Sequence, residues 1–269
     1  MNIGVIFAGG VGTRMHSKDI PKQFLEIYNK PIMIHTLEHF EACADIDAIC
    51  VVCVEGWIGH LQDLLYKYRI EKVRKIIPGG TSGQLSIFNG LYAAEELILE
   101  AGRPGDLIMQ VPDIEANAGI AGSRVPDNDE TVVLIHDGVR PLISPGLLSE
   151  NIRCVREHGS CITAGIVKET IVEIYDNGDV RSVPERSHSR VAKAPQSFYL
   201  RDVISSHRRA LSEKRYDFID TCTMMNHYGW RLTMIDGPYE NIKITTPDDF
   251  YSMRAILQAR EDAQIYISD

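Results

Sequence analysis

Asn2-Ile3-Gly4-Val5-Ile6-Phe7-Ala8-Gly9-Gly10-Val11-Gly12-Thr13-Arg14-Met15 stands at the start of the chain and decides how the rest is read. Residues 3–7 form a short apolar run, the pattern of a buried strand, which stops at Ala8-Gly9-Gly10. The run lacks a basic flank and a cleavage site, so it predicts a first strand and not a signal peptide. A glycine-rich turn directly after a strand exposes backbone N–H groups that can cradle phosphate oxygens. Arg14, and Lys22 within Pro21-Lys22-Gln23-Phe24, add a forked and a compact positive charge to that cradle. Met15 stands where a dinucleotide fingerprint beginning at Gly10 needs its third glycine, and no Gly-Lys-Ser/Thr follows. The segment therefore argues against a dehydrogenase and against a P-loop ATPase.

Outward from this turn, strand-like and helix-like runs alternate. Helical patterns cover 31–44, 57–68, 82–101, 145–158, 201–212, 220–228 and 247–259, and strand patterns cover 48–54, 73–77, 131–135, 161–167 and 231–235. This rhythm predicts a single α/β domain over 1–269, with a mainly parallel sheet and helices on both faces. In such sheets ligands bind at the carboxyl ends of strands, where the loops at 9–22, 79–86 and 136–141 should meet. Two segments break the rhythm. Residues 111–130 are polar and rich in Gly, Pro, Asn and Asp and read as a long surface loop. Residues 168–189 carry Asp176-Asn177-Gly178-Asp179, a hairpin signal, and read as a protruding arm suited to gripping a partner subunit.

Composition bounds the function. The net charge of -9 disfavours nucleic acid and anionic membrane surfaces as partners while leaving room for a local phosphate pocket. No run of about 18 apolar residues occurs, so no transmembrane helix and a cytoplasmic location are expected. Cys50 and Cys53 form a C-x-x-C inside an apolar strand, where their side chains point to opposite faces, so a redox or zinc role is disfavoured. His35-Thr36-Leu37-Glu38-His39 fits a short zinc-peptidase pattern and leaves a zinc hydrolase as a competing reading.

Ala8 to Met15 followed by Pro21 to Phe24 resembles the sugar-nucleotidyltransferase superfamily. His136-Asp137-Gly138-Val139-Arg140-Pro141, Ala194-Pro195-Gln196-Ser197-Phe198 and Asn241-Ile242-Lys243-Ile244-Thr245-Thr246-Pro247-Asp248-Asp249 narrow the resemblance to the cytidylyltransferases acting on polyol phosphates. The motifs span nearly the whole chain in the family's order. One branch makes CDP-methylerythritol for isoprenoid precursors and the other CDP-ribitol for wall or capsule polymers. Gly56-Trp57 with His60, Pro21 to Glu26, and Asn241 to Thr246 resemble the ribitol branch more closely.

The resemblance implies a Rossmann-like nucleotidyltransferase fold, CTP and a small polyol phosphate as substrates, Mg²⁺ or another divalent cation, and a homodimer gripped by the arm at 168–189. It implies that Arg14, Lys22 and Lys243 stabilise charge at the reacting phosphates. Ala8, Gly9, Gly10, Gly12, Thr13, Gly79, Gly80 and Ser86 are implied to hold the nucleotide. Asp137, Arg140, Thr170, Arg186 and Lys243 are implied to hold the acceptor, with Arg186 reaching a neighbouring subunit, and Asp137 and Glu240 to hold the metal. One departure stands out: the family shows G-G-x-x-R after the third strand, and Gly79-Gly80-Thr81-Ser82-Gly83 has Gly83 in place of the Arg. Arg74, Lys75 and Lys193 are the cations available to compensate, and a non-catalytic nucleotide-binding regulator is the reading such a loss would favour.

Overall fold

The computed structural model describes residues 1–8, 20–100 and 105–265. Its strands are β1 (Asn2–Ala8), β2 (Glu26–Ile27), β3 (Lys30–Pro31), β4 (Ala48–Cys53), β5 (Val73–Pro78), β6 (Val132–Asp137), β7 (Ser160–Ile166), β8 (Glu173–Ile174), β9 (Val180–Ser182), β10 (Arg190–Tyr199) and β11 (Met234–Asp236). Its helices are α1 (Ile32–Ala42), α2 (Ile58–Tyr68), α3 (Gly83–Leu99), α4 (Ile114–Ala118), α5 (Pro145–His158), α6 (Leu200–Ser212), α7 (Thr221–His227) and α8 (Pro247–Ile265). Seven strands form one sheet in the order β11-β7-β10-β6-β1-β4-β5. Only β10 runs antiparallel to its neighbours β6 and β7.

Strand alternation builds two cores. Ile6, Ile49, Val51 and Leu134 face α1, α2 and α5, while Ile3, Val5, Val52 and Val133 face α3 and α6. Both faces of the sheet are covered, which is why its strands read as continuous apolar runs. Cys50 lies in one core and Cys53 in the other, as the two-residue period requires, and both are free thiols pushed by burial to a pKa of about 12.

The ten-residue strand β10 is a finding that the sequence pattern does not supply. Pro195 lies within it, and proline inside a run argues against a central strand. The structure accommodates it where the ladder to β7 is interrupted, between Ala192 and Gln196. The segment 111–130 also differs from the expected loop. It contains the short helix α4, capped by Asp113, whose side chain accepts from Ala116 N at 3.0 Å. The segment docks on α3 and α6 through a buried charge network. Arg208 donates to Glu95 at 2.6 and 2.8 Å and to Asn117 Oδ1 at 3.1 Å, and Arg124 Nε reaches Glu95 at 2.7 Å. The arm is a hairpin as expected, turning at Gly178 with φ of 89°.

His207 of α6 is buried, and neither ring nitrogen has a hydrogen-bond partner among the described residues. Burial pushes its pKa from 6.5 down to about 3. The unfolded chain therefore takes up this proton first, so the contribution to stability is complete above about pH 6.5 and is lost as pH falls toward about 3. The unfolding free energy should fall by about 1.4 kcal/mol per pH unit across that window from this group alone. Urea denaturation of the protein and of His207→Leu across the window checks this: the variant should lack that component, and parallel pH profiles would contradict it.

Candidate active site

β1 and β6 are neighbours, paired in register from Asn2 with Val132 to Phe7 with Asp137. The chain proceeds from β1 outward to β4 and β5 on one side and continues through β6 on the other. The carboxyl ends of β1 and β6 thus border the crevice where strand order reverses, the place where open α/β sheets bind ligands. Because β10 runs the opposite way, its beginning reaches the same edge. A cleft of about 260 Å³ opens there, and its walls include Gly83, Asp137, Arg140, Lys193, Thr221 and Lys243.

Asp137 organises this cleft. Its Oδ1 lies 2.5 Å from Lys243 Nζ, and its Oδ2 accepts from Arg140 Nε at 2.7 Å. Burial opposes ionisation of Asp137, but the charges of Lys243 and Arg140 override it and hold the carboxyl below its usual range. His136 beside it is fully buried and neutral, pushed by burial to a pKa of about 4, and its Nε2 meets the carbonyl of Arg140 at 3.1 Å.

The segment bearing Lys243 is pinned from several directions. Ile244 N donates to Val139 O at 2.9 Å, and Arg140 Nη1 donates to Asn241 O at 2.9 Å. Asn241 is buried and donates to Ala194 O at 2.7 Å, which ties the segment to β10. Lys22 Nζ reaches Ile244 O at 3.2 Å. Phe24 stacks on Trp57 at 4.8 Å between centroids, and His60 meets both rings edge-on, so the aromatic trio fixes the segment that carries Lys22. Asp249 completes the frame. Its carboxylate accepts from Thr245 N and Thr246 N, both at 2.8 Å, closing a capping box at the start of α8. Burial works against its ionisation, yet these N–H groups hold its pKa below the usual value.

The family model for 2-C-methyl-D-erythritol 4-phosphate cytidylyltransferase (IspD) matches residues 3–117 and 115–259. The chain belongs to this cytidylyltransferase family. Its relatives include proteins named ribitol-5-phosphate cytidylyltransferase from Streptococcus agalactiae serotype III (46% identical, 99% of each chain) and Vibrio parahaemolyticus serotype O3:K6 (47% identical, 99% of this chain and all of the other). Among solved structures, the 4-diphosphocytidyl-2C-methyl-D-erythritol synthase of Anaerococcus prevotii superposes with a TM-score of 0.73 at 25% identity, covering 96% of each chain. The Francisella tularensis IspD shares the fold with a TM-score of 0.66 at 22% identity.

Of the residues that the sequence points to, Asp137, Arg140 and Lys243 meet in the cleft, Lys22 reaches the carbonyl of Ile244 next to Lys243, and Ala8 ends β1 against the Gly138 turn. Gly9, Gly10, Gly12, Thr13 and Arg14 lie outside the described residues. Gly79 and Gly80 form the turn into α3. A Cβ on Gly80 would lie 2.5 Å from that of Leu85, so only glycine fits. Ser86 is buried. Its hydroxyl accepts from Gly80 N at 3.1 Å and donates to Ser82 O at 2.9 Å, so it shapes the turn itself. Thr170 and Arg186 sit exposed on the arm, Arg186 donating to Lys168 O at 3.1 Å, and neither lines this chain's own cleft.

Glu240 does not fit the metal role expected of it: it is exposed and paired with Arg260 of α8 at 2.6 Å. Asp137 fits as a single protein ligand, because each oxygen holds one ion pair and retains further lone-pair capacity. Mg²⁺ is commonly held by one or two carboxylates plus substrate phosphates. No group of three or more metal-ligating side chains occurs among the described residues. His35 Nε2 bonds to Ile27 O at 3.1 Å and Glu38 pairs with Lys30, so this stretch is part of the α1 surface and not a zinc centre. No described helix is long and apolar enough to cross a membrane. Asn241 and Asp249 shape the site without a role that the motifs imply for them, and the Thr246-to-Asp249 spacing of a capping box is the signal available for the second.

Proposed function

We propose that this chain transfers CMP from CTP to ribitol 5-phosphate, giving CDP-ribitol and pyrophosphate. The observation that carries the reading is 46% identity over 99% of the chain to a protein named ribitol-5-phosphate cytidylyltransferase. The cleft chemistry supports it. A phosphate monoester is largely dianionic near neutral pH, since its second pKa is about 6, and needs no strong base to act as nucleophile. The barrier is the approach of two anions, and Lys243 and Arg140, held apart by Asp137, are preorganised to lower it.

In this reading an acceptor phosphate oxygen bonds to the α-phosphorus of CTP as that phosphorus separates from the oxygen bridging it to the β-phosphate. Pyrophosphate departs with the electron pair. Lys22 and Lys243 stabilise the charge on the reacting phosphates, joined by Arg14, and Arg140 holds the acceptor. The turn at Gly79 and Gly80 receives the nucleotide together with the Gly9 to Thr13 loop. Asp137 would hold Mg²⁺, which when bound would supply charge neutralisation at the phosphates. We further propose a homodimer in which the arm crosses to a second copy and delivers Thr170 and Arg186 to its cleft. Ile174, Tyr175 and Val180 are large apolar side chains left exposed on that arm.

The test is pyrophosphate release with CTP and Mg²⁺, run on ribitol 5-phosphate and on 2-C-methyl-D-erythritol 4-phosphate, with sedimentation of the same sample. Turnover of ribitol 5-phosphate by a dimer is expected. Turnover of the methylerythritol substrate alone would move the chain to the other branch. Silence with both would favour a nucleotide-binding regulator, and a fully active monomer would remove the arm from the mechanism.

A further inference from the structure

Among the described residues three positive side chains line the cleft, and two of them, Arg140 and Lys243, share Asp137. The third is Lys193, at the start of β10. No described carboxylate lies within ion-pair distance of it, and the charges that act on it, Arg140 and Lys168, are both positive. An ammonium group has three donors. Lys193 Nζ gives two to backbone carbonyls, Pro238 O at 3.1 Å and Tyr239 O at 2.9 Å. Among the described residues its third N–H has no acceptor, on a side chain that borders the cleft.

The fold makes room for this lysine. It lies in the stretch where the β7–β10 ladder is interrupted, and a Cβ on Gly165 of β7 would stand 2.8 Å from Lys193 Cε. Glycine at 165 leaves open the space that the end of the lysine side chain occupies beside the neighbouring strand. Tyr239 lies under the same charges, with Lys168 Nζ 3.4 Å and Lys193 Nζ 5.4 Å from its ring centre. Two further cations near the turn into α3 do not reach the cleft. Lys75 is buried and paired with Glu100 at 2.7 Å, and Arg74 points to solvent from the edge strand β5. Gly83 lines the same cleft as Lys193, and a Cβ there would meet nothing within 4 Å.

We propose that Lys193 binds the phosphate group of the acceptor beside Arg140, and that it is a binding residue particular to the polyol phosphate and not to CTP. The proposal rests on the transferase reading above. Burial, Arg140 and Lys168 together lower the pKa of Lys193, which marks an uncompensated positive site that an acceptor dianion would balance.

Steady-state kinetics of K193Q, K193R and G165V test it. K193Q should raise the KM for ribitol 5-phosphate about tenfold to a hundredfold, the scale of one charge-assisted hydrogen bond, and leave the CTP KM and the kcat at saturation near those of the parent. K193R should recover most of the loss, and G165V, which displaces the lysine stem, should resemble K193Q. A rise in the CTP KM in place of the acceptor KM would overturn the proposal, as would K193R behaving no better than K193Q. Calorimetric titration of ribitol 5-phosphate with CTP present and divalent cations chelated reads the same contact without turnover. Weaker binding by K193Q supports the proposal even in a preparation that does not turn over, where the transferase reading alone would fail. Equal binding by parent and variant overturns it.

Discussion

Lys243→Met should lower kcat/KM by about 10²- to 10³-fold, the cost of removing one preorganised charge from a phosphoryl- or acyl-transfer site. The lysine is held 2.5 Å from Asp137 with its side chain 41% exposed, so its ammonium faces both the buried carboxylate and the cleft. Methionine keeps most of the stem and removes the charge. Asp137 would still be paired with Arg140 at 2.7 Å, so the fold should survive. This separates the catalytic loss from unfolding: the denaturation midpoint should stay near that of the parent while turnover collapses. Lys243→Arg should restore part of the activity, limited because a planar fork does not reproduce a compact ammonium. The measurement is pyrophosphate release at saturating and limiting acceptor. Loss confined to KM, with kcat unchanged, would mean that Lys243 only binds and does not stabilise the reacting phosphates.

The largest stability effect is expected far from the cleft. Glu95→Gln should destabilise the protein by about 3–5 kcal/mol, because breaking a buried ion pair strands the remaining charge. Glu95 and Arg208 both have side chains at 0% exposure and meet at 2.6 Å. Burial alone would raise the Glu95 pKa, but the Arg208 and Arg124 hydrogen bonds outweigh it and hold the carboxyl below its usual value. With Glu95 neutral, Arg208 loses its carboxylate partner and one of the two hydrogen bonds to position 95, keeping the remaining amide oxygen there and, among the described residues, Asn117 Oδ1 and Gly122 O of the 111–130 segment. That segment would loosen with it. The double variant Glu95→Leu with Arg208→Met should recover much of the loss, since removing both charges also removes their desolvation cost. Urea denaturation checks the pair, and a Glu95→Gln variant within about 1 kcal/mol of the parent would show that the charge is solvated. Activity measured below the transition should change little, because the network joins the C-terminal half of α3 to α6, whereas the cleft is lined by Gly83 and Ile87 at the start of α3.

Several parts of the fold are legible in local pattern because the physics behind them is local. β1, β4 and β6 are largely apolar runs ended by turn residues, and the opposite facing of Cys50 and Cys53 follows from strand geometry alone. The arm announces itself through Asn177-Gly178, because only such residues accept the left-handed turn. The same holds for the cleft's main cations and carboxylate. Asp137 and Arg140 stand three residues apart on one tight turn, so one motif carries both.

Local pattern therefore specifies the α/β rhythm, the glycine turn into α3 and the family motifs that carry Asp137, Arg140 and Lys243. Which charges meet is set by chain topology. β10 carries Pro195 and a lysine and lacks clean alternation, so its place in the centre of the sheet comes from burial between β6 and β7 and not from propensity. Its reversed direction is what brings Lys193 to the cleft, while Lys75, equally available on paper, is spent on Glu100. Glu240 pairs with Arg260, Lys22 reaches a carbonyl 222 residues away, and Glu95 finds Arg208 across 113 residues. Such partners are chosen by chain topology and by the cost of leaving a buried charge alone, and neither has a signature in the residues on either side.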